Sequence, residues 1–90
     1  MRSMNGNEVE RICKALANKR RLAILRYLKG GRASVTEIAK AIKLSFKATS
    51  RHLGILTAAA VLEKEQEGLV MWHRLPLRKH PLVSKALDLL

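Results

Sequence analysis

Cysteine is almost absent from this ninety-residue chain. Cys13 stands alone, so no disulfide can form within it. A single thiol suits a reducing cytosol, and the chain reads as cytoplasmic. No apolar run approaches the ~20 residues that a membrane-spanning helix needs, which sets a membrane role aside. The opening Met1-Arg2-Ser3-Met4-Asn5-Gly6 carries a charge but no apolar stretch behind it, so it does not read as a secretory signal. Repeats, low-complexity tracts and flexible linkers are missing as well. The expectation is one domain, 1–90, with no room for a separate catalytic or sensory one. Catalytic constellations are also missing. There is no carboxylate pair in an apolar setting, no Ser–His–Asp order with a nucleophile elbow and no glycine-rich phosphate loop. An enzyme is not expected, and no cofactor is implied.

Acidic residues are scarce too. Seven Asp and Glu face eighteen Lys and Arg, a net charge of +11. An excess of that size calls for a polyanionic partner, whether nucleic acid, an anionic membrane surface or an acidic protein. Size adds a second constraint. A monomer this small buries only about 60–65% of its unfolded surface. Oligomerisation is the usual supplement where disulfides are lacking.

What is present is mostly helical periodicity. Asn7 is placed to cap a first helix over 7–17, with Glu8 and Glu10 where the helix dipole favours acids. Val9, Ile12, Cys13 and Leu16 recur as one buried stripe. Asn18 caps a second helix that keeps Leu22, Leu25 and Leu28 in step, and Gly30-Gly31 supplies the positive φ that ends it. Ser34 and Glu37 form a capping box, behind which Val35, Ile38, Ala39 and Ile42 are buried. After a tight connection at Lys43-Leu44, Ser45 caps a helix that buries Ala48, Thr49, His52, Leu53 and Leu56 and runs to Ala60. The pattern then changes to a hairpin, with strands over 62–67 and 69–75 and a turn at Glu67-Gly68. Pro81 opens a last helix over 81–90. The fold class is therefore mainly α with a small β-hairpin: about five helices and a two-stranded β element.

Two short helices joined by a few residues, the second rich in hydroxyls and cations, make a helix-turn-helix over 34–60. A major groove about 12 Å wide admits one α-helix while its predecessor braces it across the phosphates. The outward face of the second helix carries Phe46, Lys47, Ser50, Arg51, Gly54 and Thr57. Lys47 and Arg51 reach guanine edges or phosphates, Ser50 bonds to bases or backbone, and Phe46 packs on thymine methyls. Thr36 and Ser45 sit at helix N-termini, where amides and dipole favour a phosphate. Double-stranded DNA is the expected partner. A non-specific architectural binder and a protein-interaction module are the alternatives.

The same stretches resemble the ArsR-type winged-helix repressors of bacteria and archaea. The resemblance runs through Ala15-Leu16-Ala17-Asn18 and Arg21-Leu22-Ala23-Ile24-Leu25, then Ser34-Val35-Thr36-Glu37-Ile38-Ala39 and Leu44-Ser45. Its most specific block is Ser50-Arg51-His52-Leu53-Gly54-Ile55-Leu56, and Glu67-Gly68 with Trp72-His73-Arg74-Leu75 stands where the family has its wing, here about 61–75. It implies a winged helix-turn-helix acting as a homodimer on inverted half-sites, with the terminal helices as the interface. Val9, Ile12, Cys13, Leu82, Val83, Ala86, Leu87 and Leu90 are the residues those helices offer.

Departures from the family pattern carry their own expectations. The family's metal ligands, two cysteines on the third helix or Asp and His on the last, are not matched. Only Asp88 and the preceding His80 stand at the second place, whereas zinc-type sites need three or four ligands. Metal sensing is disfavoured, and the sequence discloses no effector. Cys13 on the buried stripe reads as a small hydrophobe, and His52 on a half-buried face reads as structural. Lys43 stands where the family has glycine, so a left-handed backbone there costs about 1–2 kcal/mol. Glu63, Glu65 and Glu67 share one side of the first wing strand, an acidic face that repels phosphate. Trp72 is read as hairpin core.

Overall fold

The computed structural model describes residues 6–90 of the chain. Residues 1–5, which carry most of the segment weighed as a secretory signal, lie outside the described residues. The element order is α1 (Gly6–Leu16), α2 (Lys19–Leu28), β1 (Ala33–Ser34), α3 (Val35–Ile42), α4 (Phe46–Ala58), β2 (Glu63–Glu67), β3 (Val70–Arg74) and α5 (Pro81–Leu89). No helix among the described residues is long and apolar enough to cross a membrane.

Local capping chemistry sets most of these boundaries. Asn18 Oδ1 accepts from the amides of Arg20 (2.9 Å) and Arg21 (3.1 Å), starting α2. The Ser34 box closes in both directions: Glu37 N donates to Ser34 Oγ at 3.2 Å, and Ser34 N to Glu37 Oε1 at 2.9 Å. Ser45 Oγ accepts from Ala48 N at 3.1 Å and starts α4. At α5, Pro81 occupies the first turn and His80 Nδ1 accepts from Leu82 N at 3.1 Å. α1 begins at Gly6, one residue ahead of the Asn7 expected to cap it.

The connection between α3 and α4 is as tight as the sequence requires. Lys43 adopts φ 56°, ψ 51°, the left-handed conformation, and lets Leu44 N donate back to Ala39 O at 3.0 Å. A lysine Cβ is crowded by the neighbouring carbonyl in that conformation. Lys43→Gly is expected to raise stability by about 1 kcal/mol, the relief of strain less the larger entropy glycine loses on folding. Urea titration checks it, and an unchanged midpoint would count against strain at this turn. Ala60 (φ 60°) makes a second left-handed stop. It ends α4 two residues before the expected boundary and turns the chain so that Val61 and Leu62 enter the core, fully or almost fully buried.

The sheet is larger than a hairpin by one short strand. β1 pairs antiparallel with β3 (Ala33 opposite His73, Ser34 opposite Trp72), and the strand order is β1-β3-β2. β2 and β3 form the expected hairpin, with Glu67 opposite Val70 and Gly68 at φ 63° in a two-residue loop. The third strand ties the wing base to the start of α3. Two residues are too short to leave an alternating pattern, which is why the sequence reading missed it.

The core is built from Ile12 and Ala15 of α1, Ile24, Leu25 and Leu28 of α2, Ile38 of α3, Leu53 and Leu56 of α4, and Val83 and Leu87 of α5. Lys29 Nζ donates to Leu87 O at 3.1 Å, fastening the end of α5 to the end of α2. Cys13 corrects the sequence reading. The buried face of α1 runs through Ile12 and Ala15, and the thiol side chain is exposed.

Candidate nucleic-acid interface

α4 is held by one face and open on the other. Thr49, Leu53 and Leu56 are buried at i, i+4 and i+7, fixing the roll of the helix about its axis. That roll leaves Phe46, Lys47, Ser50, Arg51 and Gly54 exposed together, with Phe46 59% accessible despite its apolar ring. A Cβ built on Gly54 meets nothing within 4 Å, so the glycine answers no packing need inside the protomer. Thr36, near the start of α3, and Ser45, at the cap of α4, are exposed as well. The proposed DNA-contact residues therefore all lie on the surface. Thr57, placed on the same outward face by the sequence, is instead half-buried with its Oγ1 enclosed, because it lies toward the buried Leu53 and Leu56 side of the helix. Among the described residues, none of the carboxylates pairs with Lys47 or Arg51.

His52 sits on the flank of α4 and takes the structural role read for it. Arg21 of α2 donates from Nη1 to His52 Nδ1 at 3.2 Å, which puts the ring proton on Nε2. The same guanidinium donates from Nε to Ala15 O at 2.6 Å and from Nη2 to Lys14 O at 3.1 Å, closing the C-terminus of α1. Three helices thus meet at one arginine. Loss of solvent, and then the charges of Arg21, Arg20 and Arg51, hold the His52 pKa below its ordinary value. His73, buried on β3, is lowered first by desolvation and then by Lys64. Arg21 and Arg20 were not among the sequence candidates, because their contacts span residues far apart in the chain.

These two imidazoles set a pH dependence. Their folded pKa values lie below the ordinary value near 6.5, so the unfolded chain takes up protons that the folded chain refuses. Stability is therefore level above about pH 7 and falls as the pH drops from about 6.5 toward the lower folded values. Urea midpoints measured between about pH 7.5 and 5.5 check the sign, and His73→Gln is expected to flatten part of the slope. Equal midpoints across that window would contradict neutral, desolvated histidines.

The acidic face of the wing needs a correction of another kind. Its carboxylates do lie on one side of β2, but cations cover them. Arg32 reaches Glu65 Oε1 at 2.9 Å and Glu67 Oε2 at 3.0 Å, while Arg74 reaches Glu63 at 3.2 Å and Glu65 at 3.8 Å. The Arg32 guanidinium also lies 4.5 Å over the Trp72 ring. Three carboxylates and two guanidiniums leave a face close to balanced rather than strongly repulsive. Trp72 is half-buried in that stack rather than enclosed in hairpin core. Arg32 carried no signal in the sequence, since its partners lie more than thirty residues downstream.

The terminal helices pack on each other and divide the residues expected at a dimer face. Ile12, Val83 and Leu87 belong to the protomer's own core, whereas Val9, Leu82, Ala86 and Leu90 are half-buried and Cys13 is exposed. Among the described residues, no three His, Cys, Asp or Glu side chains converge as a metal site would need.

A recognition helix with a free cationic face, a bracing helix ahead of it and a β-hairpin behind define a winged helix-turn-helix of the DNA-binding class. The sequence profile of the bacterial regulatory protein arsR family matches residues 18–64. The chain belongs to that family of regulatory proteins. It is 36% identical over 69 residues to the HTH-type transcriptional regulator Rv0324 of Mycobacterium tuberculosis, a match that takes in 77% of this chain. The chain spans 30% of the length of that relative. Among solved structures it resembles HlyU from Vibrio cholerae, with a TM-score of 0.80, 30% identity, and coverage of 96% of this chain and 92% of the other. It also resembles Mb0332 from Mycobacterium bovis, a homodimeric winged helix-turn-helix DNA-binding domain and possible ArsR-family regulator. There the TM-score is 0.79 at 29% identity, over 99% of this chain and 85% of that one.

Proposed function

We propose that the chain is a sequence-specific cytoplasmic repressor that binds an inverted-repeat operator as a homodimer. The observation that carries this reading is the fixed roll of α4, which buries Thr49, Leu53 and Leu56 and presents Lys47, Ser50 and Arg51 outward together. Lys47 and Arg51 stand one helical turn apart, the spacing at which two cations follow neighbouring base edges or phosphates. Gly54 lets the backbone of α4 come close to the DNA surface, and Phe46 offers a ring to thymine methyls. Thr36 and Ser45 take flanking phosphates at the helix N-termini.

Dimerisation uses the outer faces of α1 and α5. Val9, Cys13, Leu82, Ala86 and Leu90 form the contact, and Ile12, Val83 and Leu87 support it from the protomer core. The homodimeric state of a neighbour of the same fold, Mb0332, supports dimerisation as such. Two copies of α4 then lie about 34 Å apart, one turn of duplex.

Selection of binding sites from random duplex DNA by the purified protein tests binding, specificity and half-site symmetry together. The expected product is an inverted repeat, preferred over random duplex by about a thousandfold or more. Enrichment without a consensus would instead assign the chain to non-specific basic binding. The absence of any duplex binding at moderate salt would assign it to protein interaction.

A further inference from the structure

Beyond the outward face of α4, positive charge gathers where α2 begins. Arg20 and Arg21 occupy the first turn of α2, and Arg51 and His52 are neighbours on α4. The 3.2 Å contact between Arg21 Nη1 and His52 Nδ1 draws the two pairs together. The charges of Arg21, Arg20 and Arg51 all act on the one imidazole. No carboxylate of the described residues pairs with any of the three guanidiniums. Clustering like charges is unfavourable in the free protein, and a bound anion relieves it.

The three guanidiniums are not equivalent. Arg21 is held at all three of its side-chain nitrogens by Ala15 O, Lys14 O and His52, so it is a fixed charge. Arg51 points outward with the rest of the exposed α4 face. Arg20 is half-exposed, and only its backbone amide is engaged, by Asn18. Its five side-chain donors are available for a tetrahedral oxyanion.

We propose that Arg20, set beside the fixed Arg21–His52 pair and Arg51, binds a phosphate of the DNA backbone bordering the groove that α4 enters. This rests on the DNA-binding reading above and adds to it a contact from α2, outside the helix-turn-helix. It also gives Arg21 and His52 a positioning role. Their hydrogen bond holds the first turn of α2 against the recognition helix, so the phosphate contact and the base contacts keep one register.

Fluorescence anisotropy on a labelled duplex carrying the selected site, titrated from about 50 to 200 mM salt, tests the contact. Arg20→Gln is expected to lower the log–log salt slope by about 0.9 per half-site, or about 1.8 for a dimer. The preference for the selected site over scrambled duplex should stay as in the parent, because a phosphate carries no sequence information. Arg20→Lys, which keeps the charge, is expected to restore most of the slope. Thermal melting of Arg20→Gln should match the parent, since the side chain makes no hydrogen bond inside the protomer. A parent-like salt slope in Arg20→Gln overturns the phosphate contact while leaving the repressor reading intact. Loss of site preference with an unchanged slope overturns it in favour of base readout. Failure of the parent itself to bind any duplex overturns both readings.

Discussion

Shortening Leu56 to alanine is expected to destabilise the domain by about 2–5 kcal/mol. Leu56 is fully buried in the core where α4 meets the other helices. Its carbonyl also accepts from Val61 N at 2.9 Å and Leu62 N at 3.4 Å, the contacts that turn the chain from α4 into the wing. Alanine leaves those backbone bonds in place, so the loss reports the missing methyl groups and the cavity they leave. A domain of this size has a total stability of roughly 5–13 kcal/mol, so a change of that magnitude removes much of it. Thermal unfolding followed by circular dichroism should show the midpoint lowered by about 10 °C or more. Ile55→Ala, one residue away on the exposed side, is the control and is expected to change stability little. Similar midpoints for the two variants would mean that α4 is not held by the face described here.

How much of this was readable from the sequence follows from the range of each interaction. The boundaries at Asn18, Ser34, Ser45 and Pro81 were legible because a cap is a contact across two or three residues. The strained turn at Lys43 was legible for the same reason, since the steric cost lies within one residue and its neighbours. The outward set on α4 followed from a period of 3.6 once Leu53 and Leu56 were taken as buried.

What failed to show in the sequence was long-range or one-sided. The exposed thiol at Cys13 follows from the angle at which α1 rests on the core. Periodicity gives an apolar stripe and leaves its edges open, and here Ala15 was buried in place of the cysteine. The acidic strand could not be weighed without Arg32, which joins it across the sheet and stacks on Trp72. The same holds for Arg21, whose three acceptors lie on two other helices. Charges counted along a chain therefore misjudge a surface wherever tertiary folding pairs or clusters them. In this protein folding does both: it neutralises the wing face and concentrates unpaired cations beside the recognition helix.

On the proposed reading the decisive contacts lie on α4, and Lys47→Ala together with Arg51→Ala is expected to remove most specific binding. Each contact to a base edge contributes about 1–3 kcal/mol, so the pair should lower affinity for the selected operator by roughly two to four orders of magnitude. Both side chains are exposed and lack carboxylate partners among the described residues, so folding should be untouched. Melting curves that overlay the parent's would confirm this. The single variants separate the roles. A base-reading side chain loses discrimination at one operator position and keeps the salt slope, whereas a phosphate contact loses about one unit of slope and weakens all sequences alike. Because a homodimer presents each side chain twice, the loss of discrimination should appear symmetrically in both half-sites. Binding of the selected operator at parental affinity by both single variants would show that α4 does not face the groove with this side. The roll fixed by Thr49, Leu53 and Leu56 leaves no other face of that helix with cations to offer.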